Sequence, residues 1–130
     1  DIDDTMSYAD VMAMVPTTIV EAMYQCYRYI REQAPTINII LSDPLIQKGG
    51  TAPEWSYPTR YSSSRWSWYE LCDMYAAFAK RYGLGHISNY DAPINRVDVN
   101  VSLRDNVHPT TDCYRQLGRH FAGKISALVF

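Results

Sequence analysis

The sequence predicts an α/β fold, a parallel sheet with crossover helices. Two observations carry that reading. Ile37-Asn38-Ile39-Ile40-Leu41 is a short, nearly unbroken apolar run, which suits a strand covered on both faces. On either side of it, apolar residues recur at helical spacing on one face only. Helix, strand, helix, strand, helix is the rhythm of a sheet whose parallel strands are joined by helices.

Residues 6–15 are apolar but run into Pro16, so they read as a loop with a short helix at most. The first well-marked helix spans 18–34. Thr18-x-x-Glu21 is a capping box, in which each side chain satisfies a backbone N–H at the helix start. Ile19, Met23, Cys26 and Ile30 form its stripe, and Pro35 ends it. The strand over 37–41 follows and stops at Ser42-Asp43-Pro44. Residues 44–64 hold four prolines and glycines beyond Pro44 itself (Gly49, Gly50, Pro53, Pro58) and Ser62-Ser63-Ser64, the composition of a long loop. A second helix is predicted over 67–82. Ser67-x-x-Glu70 caps it, Trp66 and Leu71 are spaced as a hydrophobic staple, and Gly83 stops it. Its stripe is Leu71, Tyr75, Phe78 and Tyr82. A brief strand is expected around His86–Ser88, and Val97, Val99 and Val101 alternate as a strand would. The last helix, 110–128, begins just after Pro109, with Cys113, Leu117, Phe121, Ile125 and Leu128 inward.

The chain has 130 residues, 47% of them hydrophobic, which fits one domain over residues 1–130 with a real core. Twelve Lys and Arg against fourteen Asp and Glu give a net charge of −2, and nothing in that balance points to nucleic acid. No stretch approaches the ~20 apolar residues of a membrane span. No basic segment followed by an apolar one opens the sequence, so it gives no signal peptide and leaves localisation open. Three cysteines without C-x-x-C spacing, Cys26, Cys72 and Cys113, read as small buried hydrophobes rather than a disulfide framework or a metal knuckle. The chain opens at Asp1 with no strand before it, and reads as the later part of something longer.

Arg104-Asp105-Asn106-Val107-His108-Pro109-Thr110 is the most informative segment. Asp105 and His108, three apart in a turn, are spaced so that the carboxylate folds back onto the imidazole. Bonded at Nδ1, such a histidine keeps Nε2 as a base, and the carboxylate stabilises the imidazolium it forms. In the alternative, Asp105 merely caps its turn and His108 is a surface histidine.

Asp105 to Ile125 (DNVHPTTDCYRQLGRHFAGKI) resembles the final block of the SGNH, or GDSL-type, hydrolases. There an Asp-x-x-His-Pro turn supplies the acid and base of a serine triad and leads into the C-terminal helix. The order upstream is similar too: a helix ending at Ala34-Pro35-Thr36, the strand INIILSDP, a variable loop, and the helix WSWYELCDMYAAFAKRYG. The resemblance covers roughly residues 17–130, although only the Asp–His block is motif-specific. It implies a three-layer α/β/α, flavodoxin-like domain lacking its N-terminal strands here, an esterase activity without cofactor or metal, Asp105 as orienting acid and His108 as base. The family's Gly-Asp-Ser nucleophile turn is not in this sequence. Asp1 stands where its Gly-x-Asn-Asp oxyanion block ends, so the nucleophile and oxyanion hole are expected upstream, and residues 1–130 alone are expected to be inactive.

Within the sequence, Ser62, Ser63 and Ser64 lack the glycines of a nucleophile elbow. The long loop is instead aromatic: Trp55, Tyr57, Tyr61, Trp66 and Trp68, with Arg60 and Arg65 between them. Flat rings with polar edges suit sugar faces and acyl groups, although some could equally close over the core. An acylated carbohydrate is therefore the expected substrate. Asp43 stands at a strand end, where α/β folds bind ligands, but an Asp-Pro turn explains it as well. His86 and His120 read as structural.

Two rival readings remain. Asp1-Ile2-Asp3-Asp4-Thr5 resembles the D-x-D-x-T motif of haloacid dehalogenase-type phosphatases, which would make Asp1 the nucleophile, Asp3 the acid–base and Mg²⁺ the counter-ion. The strand that should precede the motif and the later pair of acidic ligands are not in this sequence. The other rival is a non-catalytic carbohydrate-binding or virion- or cell-surface accessory module that uses the aromatic loop.

Overall fold

The computed structural model describes residues 2–45, 68–92, 102–105 and 108–128. The chain divides into two compact units, Asp1–Asn38 and Ile39–Phe130.

The first unit is a helix pair. Helix α1 spans Tyr8–Ala13, where the sequence allowed at most a short helix. Its N-cap Ser7 accepts the Asp10 N–H through Oγ at 3.2 Å. Helix α2 spans Ile19–Gln33 and opens on the predicted capping box. Thr18 Oγ1 accepts the Glu21 N–H at 3.1 Å, while Glu21 Oε2 accepts the N–H groups of Thr17 at 2.7 Å and Thr18 at 3.1 Å.

The side of α2 that meets α1 is not the apolar stripe. Gln25 Nε2 donates to the carbonyls of Val11 and Met14, both at 3.0 Å, satisfying the open end of α1. Arg28 donates to Tyr24 Oη at 2.7 Å and to the Met6 carbonyl at 3.2 Å. Val11 and Tyr24 are buried, whereas Ile19 is 42% exposed and Cys26 is exposed. The expectation that Cys26 is a core residue is corrected: a side chain that closes carbonyls gains more at the α1 contact than a thiol does.

The second unit holds the sheet. Strand β1, Ile40–Ser42, pairs in parallel with β2, Gly85–Ile87, with Leu41 opposite His86. The fold is thus α/β with a small parallel sheet. The predicted strand over 37–41 begins later because Arg31 Nη1 donates to the carbonyls of Ile37 at 2.6 Å and Pro35 at 3.4 Å. That holds Ile37 in the turn after α2, where it is 47% exposed.

Helix α3, Trp68–Tyr82, packs on both strands, and α4, Thr111–Ala127, packs on β2. Both fall within one residue of the predicted bounds. Gly83 ends α3 in the left-handed region, φ 63°, with Leu84 N–H bonded to the Ala79 carbonyl and Gly83 N–H to that of Lys80. Trp68, Cys72, Ala92, Leu103, Cys113 and Leu117 form the core, with Phe121 partly buried against it. Ile125, expected inward, is 47% exposed. The predicted cap at Ser67, the staple at Trp66 and the alternation at Val97–Val101 lie outside the described residues.

Candidate functional site

The Asp105–His108 turn is held together at its base. Leu103 and Pro109 form an antiparallel bridge, with Arg104 N–H bonded to the His108 carbonyl at 2.9 Å and Thr110 N–H to the Ser102 carbonyl at 2.8 Å. Leu103 belongs to the core and is 4% exposed, so the base of the turn is anchored. Thr110 Oγ1 then accepts the Cys113 N–H at 3.3 Å and starts α4. Pro109 thus stands one residue before the N-cap.

The Asp105 carboxylate does two jobs. Oδ1 accepts the His108 backbone N–H at 2.6 Å, which closes the turn. Oδ2 lies 2.8 Å from His108 Nδ1. The two readings of the spacing, turn cap and imidazole orienter, therefore hold together, one oxygen each. With Nδ1 as donor to Oδ2, Nε2 carries the lone pair and is the basic atom. The side chains are 57% and 49% exposed, so the pair adds little to stability. It is accessible, and the residues flanking it are tied by the Leu103–Pro109 bridge.

A second polar cluster stands at the carboxyl ends of β1 and β2, and the sequence reading missed it. Asp43 is buried, its side chain wholly so. Its Oδ1 lies 2.6 Å from His86 Nε2, and its Oδ2 accepts the Asn89 N–H at 3.1 Å. Asn89, also buried, donates through Nδ2 to the Asp43 carbonyl at 2.6 Å and to Ser42 Oγ at 3.2 Å, and its Oδ1 lies 3.3 Å from His120 Nε2. The cluster ties both strand ends to α4. Under it, burial and then the charge of Asp43 push the Cys72 thiol up to about 12, and the same two causes raise Tyr75. The available signal was register: once Leu41 faces His86, alternation puts Asp43 and His86 on one side of the sheet.

Of the expected aromatic site, Trp55, Tyr57, Tyr61 and Trp66 lie outside the described residues, as do Ser62, Ser63 and Ser64. Trp68 is placed in the core at 5% exposure, with its Nε1–H bonded to the Pro44 carbonyl at 2.9 Å. Its ring packs inward and is not open to a ligand, because the first turn of α3 needs a large apolar residue over Cys72 and Leu117. Tyr69 and Tyr90 stack beside it with centroids 5.2 Å apart, Tyr69 half-buried against the core and Tyr90 46% exposed.

Asp1 lies outside the described residues. Asp3 accepts the Thr5 N–H at 2.9 Å and its hydroxyl at 2.6 Å, which depresses its pKa and closes a local turn. Among the described residues no three His, Cys, Asp or Glu side chains converge as a metal site would require. No described helix is long and apolar enough to cross a membrane. Compared with protein-family models, curated proteins and solved structures, the chain matches none.

Proposed function

We propose that residues 1–130 carry the acid–base half of an SGNH-type serine acylhydrolase, a three-layer α/β/α domain whose nucleophile lies on polypeptide upstream of Asp1. The observation that carries this reading is the 2.8 Å contact between Asp105 Oδ2 and His108 Nδ1, a half-exposed pair flanked by Leu103, which is anchored in the core. The proposed substrate is an acyl ester of a carbohydrate.

In the proposed reaction, His108 Nε2 takes the proton of the attacking serine hydroxyl as its oxygen bonds to the ester carbonyl. Asp105 Oδ2 holds Nδ1–H and stabilises the imidazolium. The imidazolium then returns the proton to the departing alcohol, leaving an acyl-serine. Water, deprotonated by the same Nε2, then attacks the acyl-serine, and the proton passes from Nε2 to the serine oxygen as the acid leaves. Asp105 needs no protonation at any step.

A fluorophosphonate probe, which phosphonylates only an activated serine, tests the reading on the full-length protein. The expected adduct maps to a serine upstream of residue 1 and disappears in His108→Ala. An adduct on Ser62, Ser63 or Ser64 would move the nucleophile into this chain, and an unlabelled wild-type protein would remove the serine mechanism.

A further inference from the structure

Tyr90 is a large aromatic residue left 46% exposed yet held from several sides. One face of its ring is stacked on Tyr69, with planes 20° apart. Trp68 sits edge-on to both rings, centroids 5.1 Å from Tyr69 and 5.4 Å from Tyr90, and is itself fixed by its bond to the Pro44 carbonyl. The Tyr90 hydroxyl donates to Asp73 Oδ1 at 3.0 Å. Burial and that carboxylate both raise the phenol's pKa, so it remains a donor at any ordinary pH. Ring torsion and hydroxyl are thus set before anything binds, and a ligand meeting this ring would immobilise no side chain.

The rim is polar. Asp73 is exposed, and its Oδ2 has no hydrogen-bond partner among the described residues. Beside Tyr90, Asp91 is 63% exposed and paired with Lys124 at 2.7 Å. Among the described residues this edge carries two carboxylates and the Lys124 ammonium, with His120 also near Asp91, so its acceptors favour hydroxyl donors over anions.

We propose that the Tyr69–Tyr90 stack, edged by Asp73, is a sugar platform that takes a pyranose ring of a neutral glycan against Tyr90. The C–H face of a pyranose covers an aromatic ring, and its equatorial hydroxyls reach outward in the ring plane, toward acceptors such as Asp73 Oδ2. Uronates and phosphorylated sugars would meet like charge. The ligand class rests on the carbohydrate part of the proposed function, whereas the geometry stands apart from His108.

Isothermal titration of the full-length protein with xylohexaose, cellohexaose and N,N′-acetylated chitohexaose, with hexagalacturonate as the anionic control, tests this. At least one neutral hexasaccharide is expected to bind and hexagalacturonate is not. Tyr90→Leu, which keeps apolar volume over Trp68 but lacks a flat ring, should weaken binding about tenfold, and Tyr90→Phe, which keeps the ring, by about threefold or less. Thermal melts accompany each variant, and Asp73→Asn, which leaves the ring in place, gives a second reading should Tyr90→Leu not fold: it should weaken binding about threefold to tenfold. No binding by any neutral hexasaccharide, or wild-type affinity in both Tyr90→Leu and Asp73→Asn, overturns the proposal. His108→Ala should bind saccharide as the wild type does while losing ester turnover, so the failure of either reading is visible without the other.

Discussion

Asp105 shows how one carboxylate serves a turn and an imidazole at once. Asparagine at this position can still accept the His108 N–H through its amide oxygen, but an amide nitrogen cannot accept from Nδ1–H. Asp105→Asn should therefore keep the fold and lose the tautomer, lowering kcat of the full-length protein by about 10³- to 10⁴-fold with a melting temperature close to wild type. A steady-state assay on a small acetate ester, beside a thermal melt, checks both halves. The three thiols give a second residue-scale expectation. Cys72 is buried and its raised pKa keeps it neutral until about pH 12, so any stability tied to that shift is present below its ordinary pKa and lost as pH rises through the folded value. Iodoacetamide at pH 8 should thus label exposed Cys26 and spare Cys72 and Cys113, as read by mass spectrometry of the folded chain. The Asp–His pair was legible in the sequence because both partners lie within one turn. The burial of Trp68 and the exposure of Cys26 were not, since each depends on what another element offers in space.

At the scale of elements, the helices were legible because their signals are local. Thr18 and Glu21 satisfy each other's N–H across three residues, and Gly83 supplies the one positive φ that the end of α3 needs. Thr18→Ala should cost about 1 kcal/mol, measured by thermal or chemical denaturation, because Glu21 N–H then loses its acceptor. Gly83→Ala places a Cβ in the left-handed region and should cost a similar ~1 kcal/mol, although nothing lies within 4 Å of the new atom. The difference matters: the expected loss comes from backbone conformation and not from a clash. Strand boundaries were less legible. The apolar run Ile37–Leu41 has no marker for its first paired residue, and the carbonyls that Arg31 binds decide it from the helix before.

For the whole molecule, the parallel pairing of β1 and β2 brings together residues more than forty positions apart, and the Asp43 cluster exists only because of it. Asp43 is wholly buried and gives acceptors to His86 and the Asn89 N–H. Asp43→Ala should therefore destabilise the α/β unit by about 1–3 kcal/mol, the cost of leaving the buried Asn89 N–H without an acceptor, and chemical denaturation would register it. No local motif encodes such a cluster, so sequence alone read His86 and His120 as separate structural residues and left Asp43 between a ligand site and an Asp-Pro turn. The central claim, however, is that His108 is the base of an acyl transfer. The direct measurement is kcat of full-length His108→Ala on a small chromogenic acetate, with circular dichroism to establish that the variant is folded. The pair is half-exposed, so the fold should be unaffected, and kcat should fall by about 10³-fold or more. A folded His108→Ala protein that turns over the ester at the wild-type rate would contradict the account.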